Sequence, residues 1–366
     1  MKNETLNYLL SRNKTILDVL IKKVKESFAD AVDFIAITGS FLTNDFYEKS
    51  DLDIFIVINS DEARELNKSF IFDDIGFDIY TKKWSDFDDL IKCNDIFLGT
   101  LLDIEVVYYR NPSILEEIKV KQTELSANLV DMDQTAKRVD EAYKQLIDAR
   151  KELQKSSDLH DGIMLLYRII NIIVFICFSR NQTYLKQGIR RIPEEILKLD
   201  SLPKDFSKTF KRLTMCNRLE NIMDICNDAI NDISEWLNIP FVMEDIDVIA
   251  SSDSWGKVDV SYDNIKGIYE EIYSNWKNKM RQATMTNNRF LSFMTMCATQ
   301  ELYNELFSFF NIEKFDLITK YDPLDLSKNE VVFNQEMNKW KRIYVKVDRK
   351  VLEFMSLDKL KDNLYS

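Results

Sequence analysis

Three aspartates and a glycine–serine pair carry the chemistry available to this sequence. An apolar run, Phe34-Ile35-Ala36-Ile37, ends in Gly39-Ser40, and a second run opens with Asp51 and Asp53. Strand side chains alternate, so Asp51 and Asp53 project to one side while Leu52, Ile54, Ile56 and Ile58 project to the other. Two carboxylates side by side at the head of a buried strand repel each other and lose hydration. A positive partner must offset that, and a divalent metal ion is the usual one. Gly39 lets the backbone approach a ligand, and a short helix starting at Ser40 presents N–H groups that suit a phosphate. In I-G-F-D-I-Y-T, residues 75–81, Asp78 is the only charge and shares a face with Gly76 and Tyr80. Lys186, Arg190 and Arg191 form a local cationic cluster. It reads as solvated charge on a turn or as a clamp for phosphate.

Gly-Ser, ten residues, then Asp-x-Asp resembles the signature of the polymerase-β-like nucleotidyltransferases. The small antibiotic-type members, which include the aminoglycoside nucleotidyltransferases, are the most similar branch. Leu101–Tyr109, closed by Arg110-Asn111-Pro112, resembles the last strand of that fold. Residues 184–206 are similar to a connector in its helical domain. The resemblance spans roughly residues 15–120, and the last third of the chain resembles no family.

That resemblance implies transfer of AMP, or another nucleoside monophosphate, from ATP or another NTP to a hydroxyl of a small molecule, with release of pyrophosphate. An aminoglycoside-like antibiotic is the implied acceptor. Asp51 and Asp53 would hold two Mg2+ ions, and Asp78 would bind the catalytic one. Gly39, Ser40, Ser50, Lys186 and Arg190 would contact the nucleotide, with Lys186 the strongest candidate for the triphosphate. Asp73 and Asp74 are the alternatives to Asp78 if the register slips, and Glu105 is the alternative general base. Each has a plainer reading: Asp51 and Asp53 as solvated acids at a strand start, Asp78 as an edge-strand acid, Gly39 as a turn glycine, Ser40 as a helix cap, Ser50 as a cap on the strand start. Two other functions fit the same motif. One is modification of a protein or a tRNA end, in the manner of AMPylating or toxin-like relatives; the other is a non-catalytic nucleotide-binding scaffold.

These residues need a sheet beneath them. Residues 4–29 have helical spacing. Strands are expected at 33–38, 52–58, 75–81 and 101–109, with helices at 61–69 and 85–98. The expected class is α+β: a mixed sheet of four to five strands flanked by helices over residues 1–120, then a helical bundle over 121–240. Residues 241–366 form a second helical region of unassigned role. The linker candidate is 240–260, with Pro240, Ser251, Ser252, Asp253, Ser254 and Gly256. His160 is expected to cap a helix. The aromatic residues of 262–312 are expected in a core, with Trp255 and Trp276 as candidates to line an acceptor pocket.

Composition narrows the function. A net charge of −12 over 366 residues argues against a dedicated nucleic-acid binder and is compatible with a cationic small substrate. Seven Gly and five Pro favour long helices over loops. Five cysteines without a C-x-x-C pair argue against zinc or a disulfide framework and for reduced thiols in the cytoplasm. No apolar signal segment opens the chain. The apolar run Ile163–Phe178 is short for a membrane span and contains Arg168 and Asn171, so a buried helix is expected and no membrane partner. A homodimer is compatible with the resemblance, since some relatives build the acceptor site across two chains.

Overall fold

The computed structural model describes residues 3–240, 257–261 and 263–365. Six strands form one sheet in the order β5-β1-β2-β4-β3-β6: β1 Val32–Thr38, β2 Asp53–Ile58, β3 Lys68–Phe72, β4 Ile75–Lys82, β5 Glu105–Tyr109 and β6 Glu353–Phe354. The sheet is mixed. β1 is antiparallel to β2 and β5, β2 is parallel to β4, β3 is antiparallel to β4, and β3 is parallel to β6.

Alternation along β2 divides the core in two. Leu52, Ile54, Ile56 and Ile58 join the apolar cluster beneath α1 (Asn3–Ser27). Phe55 and Val57 join a second cluster that includes Phe34, Phe87 and Leu101. Burying each such side chain contributes roughly 1.5–3 kcal/mol, which fixes the register, since a one-residue slip would turn both faces inside out. The carboxylate of Asp53 is thereby committed to the Phe55 face.

Six helices follow up to and beyond the middle of the chain: α2 Pro112–Val130, α3 Met132–Lys155, α4 Leu159–Arg180, α5 Phe206–Leu213 and α6 Leu219–Leu237, with a short turn of helix at Ile192–Ile196 between α4 and α5. α4 is long and apolar enough in composition to cross a membrane, yet 67% of its most apolar window is buried inside the fold. Then come a short helix Ile268–Ile272, a wider π-helical turn Tyr273–Lys277, α7 Asn278–Met285, α8 Arg289–Phe309, α9 Leu326–Lys346 and α10 Leu357–Tyr365.

The late elements return to the sheet. β6 pairs with β3, and Leu360 and Leu364 of α10 enter the cluster beneath α1. The π-helical turn lies directly on β4. A Cβ at Gly76 would collide with the backbone of Ser274, so only glycine allows this approach.

Several expected elements differ. The helix expected at 61–69 is a 3-10 turn, Asp61–Leu66, followed by β3. Its D-E-A-R-E-L spacing is helical, but Asn67 turns extended and starts the strand. β3 and β4 then form a hairpin whose turn residues Asp73 and Asp74 both have positive φ, 53° and 60°. The strand expected at 101–109 begins only at Glu105, because Gly99–Leu102 is a turn of helix. Residues 85–98 break into short turns rather than one helix. α4 is capped by Asp158, which accepts from the Asp161 N–H, and not by His160. His160 instead pairs with Asp316, 3.5 Å away. The linker residues 241–256, Trp255 among them, lie outside the described residues. All five cysteines are buried and free.

Candidate active site

The Gly-Ser turn and the Asp-x-Asp pair form one unit. β1 and β2 pair so that Thr38 lies opposite Asp53. The chain leaves β1 through Gly39, whose φ of +76° suits glycine. A Cβ there would collide with the Asp53 carboxylate, which lies against the turn. Asp53 also accepts a hydrogen bond from the backbone N–H of Ser40. That amide, expected to face phosphate, is therefore committed to the aspartate.

Asp51 precedes β2 and is fixed by the segment before it. The Ser50 hydroxyl accepts from the Tyr47 N–H at 3.0 Å, and the Ser50 N–H donates to the Tyr47 carbonyl at 2.9 Å. Arg12 on α1 donates to the Ser50 carbonyl at 2.8 Å and lies over the Phe77 ring. Ser50 thus caps the strand start while lining the cleft.

Gly39, Ser40, Ser50, Asp51, Asp53 and Arg190 share a cleft of about 360 Å³. Of the expected site residues, Asp78 and Lys186 are not in its lining. Ile54 pairs with Ile79 and Phe55 with Tyr80, so one step back Asp78 lies alongside Asp53 on the neighbouring strand. Its carboxylate accepts from the Ser69 hydroxyl at 2.7 Å. Lys186 is exposed, 5.7 Å from the Tyr184 ring centre. Asp74 pairs with Arg281 at 2.8 Å, and Glu105 is exposed at the head of β5.

Arg190 reaches the cleft from the turn before Ile192–Ile196. It pairs with Asp45, which also receives Arg191 at 2.8 and 3.1 Å. Burial alone would raise the Asp45 pKa, but the two guanidiniums more than offset it and hold the carboxyl below its ordinary value.

The opposite wall comes from a stretch with no expected role. Ser274, Asn275, Trp276, Asn278, Lys279 and Gln282 line the cleft from the π-helical turn and α7. Trp276 is one of the two tryptophans, with Trp255, that are candidates to line an acceptor pocket, and it lines this cleft. Lys279 is the missed residue of most consequence. Burial pushes its ammonium pKa down, while Asp51 and Asp53 pull it back up. The effect is mutual: burial raises both aspartates, their mutual repulsion adds to the rise at Asp51, and Lys279 works against it. Burial and Asp51 likewise push the Tyr47 hydroxyl up to about 12. Asn278 is buried, and its side-chain carbonyl oxygen has no hydrogen-bond partner.

Two crowded carboxylates and an unsatisfied amide oxygen on one cleft fit a divalent cation. The three-carboxylate arrangement is not assembled: among the described residues no group of three His, Cys, Asp or Glu is placed to hold a metal ion.

The family described as nucleotidyltransferase domain matches residues 17–187, just under half of the chain. The match supports nucleoside monophosphate transfer in general. It takes in the acidic wall of the cleft and ends short of Arg190 and of the wall built by Ser274–Gln282. No curated protein matches the chain. One similar solved structure is a nucleotidyltransferase-like protein from Exiguobacterium sibiricum 255-15, with 10% identity over 59% of this chain and 76% of that one and a TM-score of 0.35.

Proposed function

We propose that this protein transfers a nucleoside monophosphate, AMP from ATP in the specific form of the reading, to a hydroxyl of a small molecule. One observation supports this most: Asp53 is locked against the Gly39-Ser40 turn and shares with Asp51 a cleft whose other wall is cationic and polar.

The barrier is electrostatic, because a nucleophilic oxygen must approach an anionic phosphate. Magnesium, held by Asp51 and Asp53, would neutralise triphosphate charge and lower the pKa of the attacking hydroxyl. The chain's own residues do the rest. Arg190 and Lys279 face the cleft from the far wall, where cations offset charge on the β- and γ-phosphates as the bond to the α-phosphorus breaks. The Ser40 hydroxyl lines the phosphate side. Asp78 lies beside Asp53 on the neighbouring strand but outside the cleft lining, so in this reading it acts on the pair as a neighbouring acid. Burial raises its pKa against the opposing Ser69 hydrogen bond. The acceptor oxygen bonds to the α-phosphorus, its proton leaves to solvent, and pyrophosphate departs.

The experiment is incubation with ATP, Mg2+ and a panel of hydroxyl acceptors, reading pyrophosphate. Release that depends on acceptor, and that is lost in Asp51→Asn, is the expected result. Absence of release across all acceptors and all four NTPs would sink the proposal.

A further inference from the structure

A second cavity of about 570 Å³ lies behind Arg190, which lines both spaces. Its walls are the turn at Arg190–Leu197, α5, and the start of α8. Four of its residues are cationic, Arg190, Arg191, Lys211 and Arg289, against one acid, Glu194. This stands out in a chain of net charge −12.

The cations are not all neutralised from within. Arg190 and Arg191 share Asp45, and Arg191 also meets Glu194 at 3.4 Å. Among the described residues Lys211 and Arg289 form no ion pair, and the Arg289 Nε is buried without a hydrogen-bond partner. Phe210 and Phe290 add an apolar lining, with ring centres 5.5 Å apart. The wall is braced, since the Asn288 amide donates to the Arg190 carbonyl at 3.3 Å while its oxygen accepts from the Leu291 N–H.

We infer that this cavity receives an anionic group of the acceptor, a phosphate or a carboxylate, carried on a flat apolar body. The inference rests on the transferase reading for the word acceptor, and it changes the substrate class. A polycationic aminoglycoside would meet like charge here, whereas an anionic acceptor could place its hydroxyl near Asp51 and its charge beyond Arg190.

The test uses the full chain and three probes that share one phenyl ring, phenyl phosphate, benzoate and benzylamine, titrated by calorimetry with and without saturating ATP and Mg2+. Phenyl phosphate or benzoate should bind saturably, and the stronger of the two identifies the anion. Affinity should fall at least tenfold in Lys211→Glu, an exposed position that cannot disturb the core, and in Arg289→Met. The inference is overturned if benzylamine binds as tightly, if Lys211→Glu changes nothing, or if ATP displaces the anion, which would make the cavity part of the nucleotide site. Anion binding without any pyrophosphate release would keep the cavity and remove the transferase reading. Release with polyamino sugars at a KM unmoved by Lys211→Glu would keep the transferase and remove this inference.

Discussion

The two walls of the cleft are made in different ways. The acidic wall is local: β1, the Gly39 turn and β2 span Val32–Ile58, and one pairing register sets Thr38 opposite Asp53. The opposite wall is assembled from distance. Its residues, Ser274 to Gln282, follow some two hundred positions later and reach the site only because Gly76 admits their backbone against the sheet. The first wall is fixed by hydrogen-bonded strand pairing and the second by packing on Gly76 and by side-chain ties such as Arg281 to Asp74. Chemistry specified locally and charge balance specified by tertiary docking are therefore separable, and substitution can separate them.

The largest expected effect is on the acidic wall. Asp53→Asn should cost roughly 100- to 1000-fold in turnover, the scale of removing one group that stabilises charge in the transition state. Its thermal midpoint should not fall, because the carboxylate it replaces is held at a cost in its buried site. A drop in midpoint without loss of turnover would reverse the assignment of this wall.

Next come the two glycines. Gly39→Ala meets both a positive φ and the Asp53 carboxylate, and Gly76→Ala meets the Ser274 backbone. Each should cost about 1–3 kcal/mol of stability. The comparison is sharpened by chemistry: Gly39→Ala should displace Asp53 itself, whereas Gly76→Ala should lift Lys279 and Trp276 and leave the acidic pair in place. Denaturant melts measure the cost. Divalent-ion titration by Mn2+ resonance then tells the walls apart, with weaker binding expected for Gly39→Ala only.

The pH dependence is smaller. Asp51 is pushed up to about 7 in the fold, from an ordinary 3.8, by burial first and Asp53 second. The folded state therefore holds the proton more tightly than the unfolded chain. Stability from this group is full below 3.8 and lost as pH rises through about 7. In metal-free buffer the wild type should melt higher at pH 5.5 than at pH 8, and Asp51→Asn should flatten that slope. Lys279→Met should extend the loss to higher pH and deepen it, since the ammonium that favours the charged carboxylates is gone and the folded state holds the proton still more tightly.

The smallest effect lies far from the cleft. The hydrogen bond and charge of Asp316 raise the His160 pKa above its ordinary 6.5. This pair stabilises the fold below 6.5 and loses that contribution as pH rises through the raised value. Both groups are partly exposed, so His160→Asn should change stability by no more than about 1 kcal/mol, and only on the acid side.

The same division governs what could be read from the sequence. β1, β2 and β4 were legible within a residue or two because their apolar runs are long, and Gly39-Ser40 and Asp51-x-Asp53 mark the end of β1 and the start of β2. β3 was not: five residues, Lys68–Phe72, follow a helix-like acidic run, and its partners are a hairpin neighbour and a two-residue strand from the far end of the chain. Asp78 was placed on the right strand and face, but Ser69, which holds its carboxylate, belongs to that unread strand. Arg190 was recognisable as part of a cationic run, yet which of the run would reach the cleft depended on Asp45, 145 positions away. Lys279 carries no local signal at all. One lysine among many becomes a neighbour of Asp51 and Asp53 only through the contact of Ser274 with Gly76.

The pairing of β6 with β3 has a consequence for how the molecule is made. Ile71 and Phe72 find their partners Glu353 and Phe354 roughly 280 residues later in translation. At 5–20 residues per second, the outer edge of β3 leaves the ribosome roughly 15–60 s before its cover exists. During that interval S-F-I-F presents free backbone donors and acceptors to any passing strand. Chaperone demand and inclusion-body formation at high expression should therefore track the speed at which the last thirteen residues of the described chain, beta strand and helix together, close over that edge.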